Sequence, residues 1–242
     1  MSTPLVFSIA VNGYSRLFRA CVASQRGWCE RNGYEYWLLS QSLYRLSASD
    51  ASWLKVPLLA HFLSDRPWVG FIDADCEVRP HAPPIDVSLS GGHALYIAPG
   101  WSGRLNAGVI FARGGEAAAL MHELWRRCEE PVPAHCVAPY ENGHVIAMLS
   151  GHKAVSRLEH SRWNNNSHLN PDSVIQHYTG PLRRQFMATR TPWHQRGLAK
   201  AVSIYTTWRA APLPIPTLRD RLEVHAAAAI RAYHAETRLR LG

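Results

Sequence analysis

The run Trp68-Val69-Gly70-Phe71-Ile72 is short, apolar and partly β-branched, and it ends in Asp73-Ala74-Asp75. Such a run suits a strand buried on both faces, as in parallel sheets covered by helices. That narrows the chain to an α/β architecture. Open sheets of this class place ligands outside the carboxyl ends of their strands, where these two acids arrive. Two carboxylates one residue apart can share a hard cation, and Mg²⁺ or Mn²⁺ suits such oxygen ligands. Asp-x-Asp alone is a weak motif and usually marks a solvated turn. An apolar strand leading into it favours the other reading, because acids that lose water need a cation or donors in its place.

The flanking segments fit that sheet. Leu5–Val11 reads as a first strand, Asn12-Gly13-Tyr14 as a turn, and Leu17 to Trp28 as a helix closing near Gly33. Tyr34–Leu39 is the second strand, and strand, helix, strand in this order begins a parallel sheet. Residues 47–50 read as a loop and Ser52–Leu63 as a helix with Pro57 in its first turn. The proline-rich stretch His81–Ser90 reads as irregular. Ala94–Ala98 and Leu105–Arg113 are expected strands, and Glu116–Glu130 and Glu141–Leu149 expected helices. Residues 163–166 form a polar loop, and Val174–Gly180 is a short strand with a glycine turn. Residues 211–216 read as a semi-rigid linker before an amphipathic helix over 216–241. No Gly-x-Gly-x-x-Gly, Walker or Gly-x-Ser-x-Gly motif and no internal repeat is present.

Composition limits the setting. Apolar runs fall short of the ~20 residues of a membrane span, and the N-terminus lacks the pattern of a signal peptide. Five cysteines without a Cys-x-x-Cys pair point to reduced thiols. A soluble cytoplasmic protein is therefore expected, with peripheral attachment to a membrane as an option. The formal charge of +8 lies entirely beyond Pro181, where eleven basic side chains face three acidic ones. Such a block favours an anionic partner, whether phosphates, nucleic acid or an acidic membrane surface; the alternative is a merely basic surface.

Taken in order, several motifs resemble the GT-A nucleotide-sugar glycosyltransferases. Ser52-Trp53-Leu54-Lys55 followed by Trp68–Val78 is similar to the Trp-x-Lys helix and Asp-x-Asp strand of glycosyltransferase family 34. Asn106-Ala107-Gly108-Val109 is similar to the Asn-Ala-Gly segment of family 8, and Trp163-Asn164 to a Trp-Asn loop there. Glu141-Asn142 falls where both families carry an acid-glutamine pair, with asparagine in place of glutamine. His177-Tyr178-Thr179-Gly180 resembles the His-x-x-Gly element that closes the metal site, with Arg183 or Arg184 in place of the lysine that follows it.

The resemblance covers roughly residues 5–185. It implies a Rossmann-like GT-A fold, with a mixed, mostly parallel central sheet flanked by helices. The catalytic domain would span 1–185, with a basic helical extension over 186–242 packing on or beside it. It further implies a retaining transfer of a hexose or pentose from a UDP-sugar to a hydroxyl acceptor, saccharide or glycolipid. Asp73, Asp75 and His177 would hold Mn²⁺ or Mg²⁺. Ala10, Asn12, Tyr14, Lys55, Ala74, Ala107, Gly180 and Arg183 would join the two acids around the donor. Glu141, Asn142 and Asn106 would face the reacting sugar. Glu141 is the one acid nominated as a nucleophile, the alternative being a cap on its helix. Other readings are a glycosyltransferase acting on modified bases in DNA, a nucleotidyltransferase and a nucleic-acid-binding protein.

Overall fold

The computed structural model describes residues 3–85 and 91–241. Its main sheet is built from β1 (Leu5–Ile9), β2 (Glu35–Leu39), β3 (Val69–Ile72), β5 (Leu95–Pro99), β6 (Leu105–Ala112) and β7 (Val155–Arg157). A pair of short strands, β4 (Cys76–Val78) and β8 (Ile175–His177), forms a second sheet. The main sheet runs β2-β1-β3-β6-β5-β7. The pairings β2–β1, β1–β3 and β5–β7 are parallel, while β6 runs antiparallel to both β3 and β5.

The apolar strands follow from burial on both faces. Leu5 and Phe7 of β1 enter one core layer and Val6 the other, as the two-residue period requires. The first layer also holds Val69 and Phe71 of β3, the second Ile72. In β6 the alternation breaks. Leu105 and Ala107 share the first layer with Ile110 and Ala112, so the parity changes at Gly108. Pairing with β5 is interrupted at the same place, jumping from Ile97–Ile110 to Pro99–Leu105. This bulge turns residues 106–108 away from the regular ladder, a common device beside sites.

The helices are α1 (Tyr14–Leu17), α2 (Arg19–Arg31), α3 (Ala48–Trp53), α4 (Lys55–Phe62), α5 (Gly114–Arg126), α6 (Asn142–Leu149), α7 (His160–Trp163), α8 (Gly180–Thr189), α9 (Trp193–Arg209) and α10 (Leu218–Leu241). Two expected helices are each split. The first breaks at Phe18. The second breaks at Leu54 because Pro57, in a continuous helix, would drive its ring into the Trp53 carbonyl. The break leaves Pro57 in the first turn of α4 and sets Lys55 at its first position.

Part of the expected loop 47–50 is helical. Ser47 accepts from the Asp50 amide at 3.0 Å while Asp50 accepts from the Ser47 amide at 3.3 Å, a reciprocal cap on α3. The stretch from His81 is irregular over 81–84, and 86–90 lie outside the described residues. The apolar face of α10 is not a free surface. Leu222, Ala226, Ala229 and Tyr233 lie in the first core layer, and the Tyr233 ring meets Phe62 and Trp37 at 4.9 and 5.4 Å between centroids. Among the described residues no helix is long and apolar enough to cross a membrane.

Candidate active site

The order β2-β1-β3 sends successive connections from β1 in opposite directions, which opens a crevice at the carboxyl ends of β1 and β3. A cleft of about 510 Å³ lies there. It is lined by Asn12 and Tyr14 after β1, by Lys55 at the start of α4, by Asp73, Ala74 and Asp75 after β3, and by Asn106, Glu141, Asn142, His177 and Arg183. Eleven residues singled out in the sequence thus share one cavity. Three others do not line it. The Ala10 side chain belongs to the second core layer, because its parity with Val6 turns it under the sheet. Ala107 is buried and contributes backbone: its carbonyl accepts from Lys55 Nζ at 3.2 Å and its amide donates to Asn142 Oδ1 at 2.9 Å. Gly180 opens α8 at φ 50° with open space around it, so it turns the chain and offers no surface to the cleft.

The small sheet brings His177 to the acids. β4 and β8 pair antiparallel with Cys76 opposite His177, and the Tyr178 amide donates to the Asp75 carbonyl at 2.9 Å. His177 Nε2 lies 3.2 Å from Asp75 Oδ1 and 3.8 Å from Asp73 Oδ2. Its Nδ1 contacts Asn164 Oδ1 at 2.8 Å, while Asn164 Nδ2 donates to Asn106 Oδ1 at 2.9 Å. That chain makes Nδ1 a proton-bearing nitrogen and aims Nε2 at the carboxylates, which raise the imidazole against burial; a proton or a metal cation can occupy Nε2 there, and a fixed Nδ1–H is the usual support for a metal-ligating histidine.

The Asp-Ala-Asp turn is held from beneath by Gln25. Its Nε2 donates to the carbonyls of Asp73 and Cys76 at 2.9 and 2.8 Å, and its Oε1 accepts from Ser8 and Tyr36 at 2.6 and 2.9 Å. Gln25 is fully buried on the apolar stripe of α2, between Cys21 and Trp28. Nothing at the motif itself reveals this residue. A polar side chain in phase with that stripe was the available signal.

Charge is crowded here. Lys55, itself buried, reaches Glu141 Oε1 at 2.9 Å and Asp73 Oδ1 at 3.4 Å. Asp75 accepts from Arg183 at 2.8 Å and from the Tyr14 hydroxyl at 3.0 Å, and Arg183 also meets that hydroxyl. Burial pushes the Asp73 carboxyl up to about 6, reinforced by Asp75 and Glu141 and opposed by Lys55 and His177. Burial acts on Asp75 in the same sense, but His177 and Arg183 outweigh it and hold that carboxyl well below the usual range. Glu141 precedes α6 without capping it; its Oε1 is taken by Lys55, and Oε2 is buried without a partner among the described residues. Asn106 accepts from the Gly108 amide at 3.1 Å, an Asx turn, while lining the cleft.

Asp75, Cys76 and His177 offer possible ligand atoms within 4.8 Å of one another. Burial, with Asp75 and Asp73 adding to it, pushes the Cys76 thiol well up, so it stays protonated. The carboxylates and the imidazole are the better donors. A hard divalent cation fits this set: it would find oxygen ligands, an oriented Nε2 and acids crowded closely enough that burial and their mutual charge raise Asp73.

The sheet order, the second two-stranded sheet and the crevice match the GT-A fold of solved glycosyltransferases. Solved structures it resembles include glycosyltransferases. One, involved in glycosylation of the major capsid of PBCV-1, superposes with a TM-score of 0.62 at 16% identity, over 77% of this chain and 99% of that one. The galactosyltransferase LgtC, solved with donor and acceptor sugar analogues, gives 0.52 at 13% identity, over 80% and 99%. The apo form of GlyE from Streptococcus pneumoniae TIGR4 gives 0.50 at 14%, over 83% and 64%. No family model and no curated protein sequence matches the chain.

Proposed function

We propose that the cleft transfers a sugar from a nucleoside diphosphate sugar, with UDP as the expected nucleotide, to a hydroxyl acceptor. The observation that carries this is the meeting of Asp75 with His177, 3.2 Å apart across about a hundred residues of chain, at the carboxyl end of β3. Asp73, Asp75 and His177 would hold a divalent cation, Mn²⁺ or Mg²⁺, which supplies charge to a leaving diphosphate. Arg183 is placed to pair with the same phosphates. Asn12 and Tyr14 line the side of the cleft expected for the nucleotide, and Asn106 that of the sugar.

Retention is the expected stereochemistry. Glu141 is 1% exposed and tied to Lys55, which favours a charge-positioning role over attack on the sugar. The route this arrangement supports is on one face. The bond from anomeric carbon to phosphate oxygen breaks, the bond to the acceptor oxygen forms, and the acceptor proton passes to the departing phosphate. Glu141, Asn142 and Lys55 then keep the reacting face rigid.

The test is donor turnover across UDP-, GDP- and dTDP-sugars with Mn²⁺. Asp75→Ala should abolish turnover while leaving cooperative thermal unfolding in place, and chelation should do the same to the unaltered protein. Turnover that survives both treatments would overturn the reading.

A further inference from the structure

The helix α9 (Trp193–Arg209) is inside out. Its protein-facing stripe is small and polar: Gln195, Ala199, Val202, Ser203 and Thr206, of which only Ala199 is buried. The large apolar side chains point away. Trp193 is 78% exposed, Trp208 77%, Ile204 62% and Tyr205 53%. On a 3.6-residue helix Trp193, Ile204 and Trp208 fall within about 60° of arc, with Tyr205 and Leu198 beside them. An ordinary surface helix turns that stripe toward the core; here it faces outward along the whole element.

Charge identifies what covers it. Residues 173–219 contain no aspartate or glutamate and seven basic side chains. Arg196 and Lys200, both exposed, flank one side of the apolar stripe and Arg209 the other. Tryptophan at both ends of an apolar stripe with basic residues along its borders is the pattern of a helix lying in a lipid interface. A core-forming protein partner would sit poorly against those cations, and a nucleic acid would leave the aliphatic and indole surface unused.

The same helix rests beside the cleft. A Cβ at Gly13 would lie 2.2 Å from the Ala199 carbonyl, so α9 packs directly on the turn that precedes Tyr14. Thr191, just before α9, donates to the Leu17 carbonyl at 3.0 Å.

We propose that α9 is an interfacial anchor that lays this face of the protein on an anionic lipid surface and so holds the donor-side loop of the cleft at that surface. This stands whether or not the cleft transfers sugar, and its test contains no donor. The full chain is mixed with vesicles of phosphatidylcholine containing about a third phosphatidylglycerol, and with vesicles of phosphatidylcholine alone. Expected is co-sedimentation with the mixed vesicles at least tenfold stronger than with the neutral ones, and quenching of tryptophan emission by brominated acyl chains. Trp193→Ser with Trp208→Ser should weaken partitioning at least tenfold without moving thermal unfolding. Arg196→Glu with Lys200→Glu should erase the preference for anionic lipid. The proposal fails if the unaltered chain ignores the mixed vesicles, or binds them without quenching. It also fails if the exposed tryptophans instead support a concentration-dependent dimer, or if only duplex DNA is bound in a salt-sensitive way.

Discussion

Gly108 has no room for a methyl group. A Cβ there would lie 2.6 Å from His177 Cε1 and 2.9 Å from both His177 Nδ1 and Asn106 Oδ1. Gly108→Ala must therefore push the imidazole off Asn164, losing the contact that orients Nε2. Expected is at least tenfold weaker Mn²⁺ binding by calorimetry and roughly a hundredfold loss of donor turnover, in line with disrupted outer-shell support. Thermal unfolding should stay cooperative, because the displaced ring borders the cleft. Unchanged Mn²⁺ affinity would show that His177 does not ligate. The acids, His177 and the cleft asparagines could be read from the chain because each carries its chemistry in its own side chain. Gln25 and Asn164 act by holding others, and their meaning depends on neighbours far away in sequence. The Ala10 side chain could not be placed from the sequence for a simpler reason: β1 ends at Ile9, and one residue of strand parity decides which layer a side chain enters.

At the scale of elements, α10 is held by contacts that depend on pH. Arg221 reaches Asp50 at 3.0 Å, and burial, which raises that carboxyl, is outweighed by Arg221 and Ser47, so it titrates below its ordinary value. His225 is buried with neither ring nitrogen partnered among the described residues, and burial, against Asp50 and with Arg221, pulls it below 6.5. His61, facing α10 from α4, is also lowered by burial, with His234 adding and Asp65 opposing. A histidine lowered by folding takes up a proton more readily when unfolded, so its share of stability is full above about 6.5 and is lost as pH falls below it. The Asp50 share is full above 3.8 and is lost below that. Asp73, raised to about 6 by burial, and His177, where burial is outweighed by Asp75 and Asp73, bind protons more tightly when folded and oppose the histidine share between pH 7 and 5. Relative to the unaltered protein in urea, His225→Phe should therefore gain stability as pH falls from 7 to 5, and Asp50→Asn as it falls toward pH 3. A pH dependence that is the same with and without His225 would refute the buried, neutral His225. The final helix itself was legible because its apolar stripe faces inward. Helices α8 and α9 were not, since α8 starts at a glycine and α9 carries its large apolar residues outward, contrary to the pattern by which helices are recognised.

At the scale of the molecule, the question is whether residues 186–242 are an extension or part of the domain. The sequence places a linker at 211–216, and the basic stretch from Pro181 onward looks separable. The packing argues otherwise. Tyr233 is buried against Trp37 and Phe62 on the first face of the sheet, and Leu222, Ala226 and Ala229 are buried in the same core layer. Fully burying one such large side chain is worth about 1.5–3 kcal/mol, and withdrawing α10 also uncovers its partners on α4 and β2. The total is comparable with the roughly 5–15 kcal/mol that holds a whole domain folded. A chain ending at Ala210 keeps every residue of the cleft and all of α9, yet it exposes Trp37, Phe62 and the unpaired carboxylate of Asp50. Expected is loss of a cooperative thermal transition, binding of a hydrophobic dye, and loss of donor turnover although no cleft residue has been removed. If that shortened chain instead unfolds at the temperature of the full one, α10 is an appendage and the first core layer is complete without it.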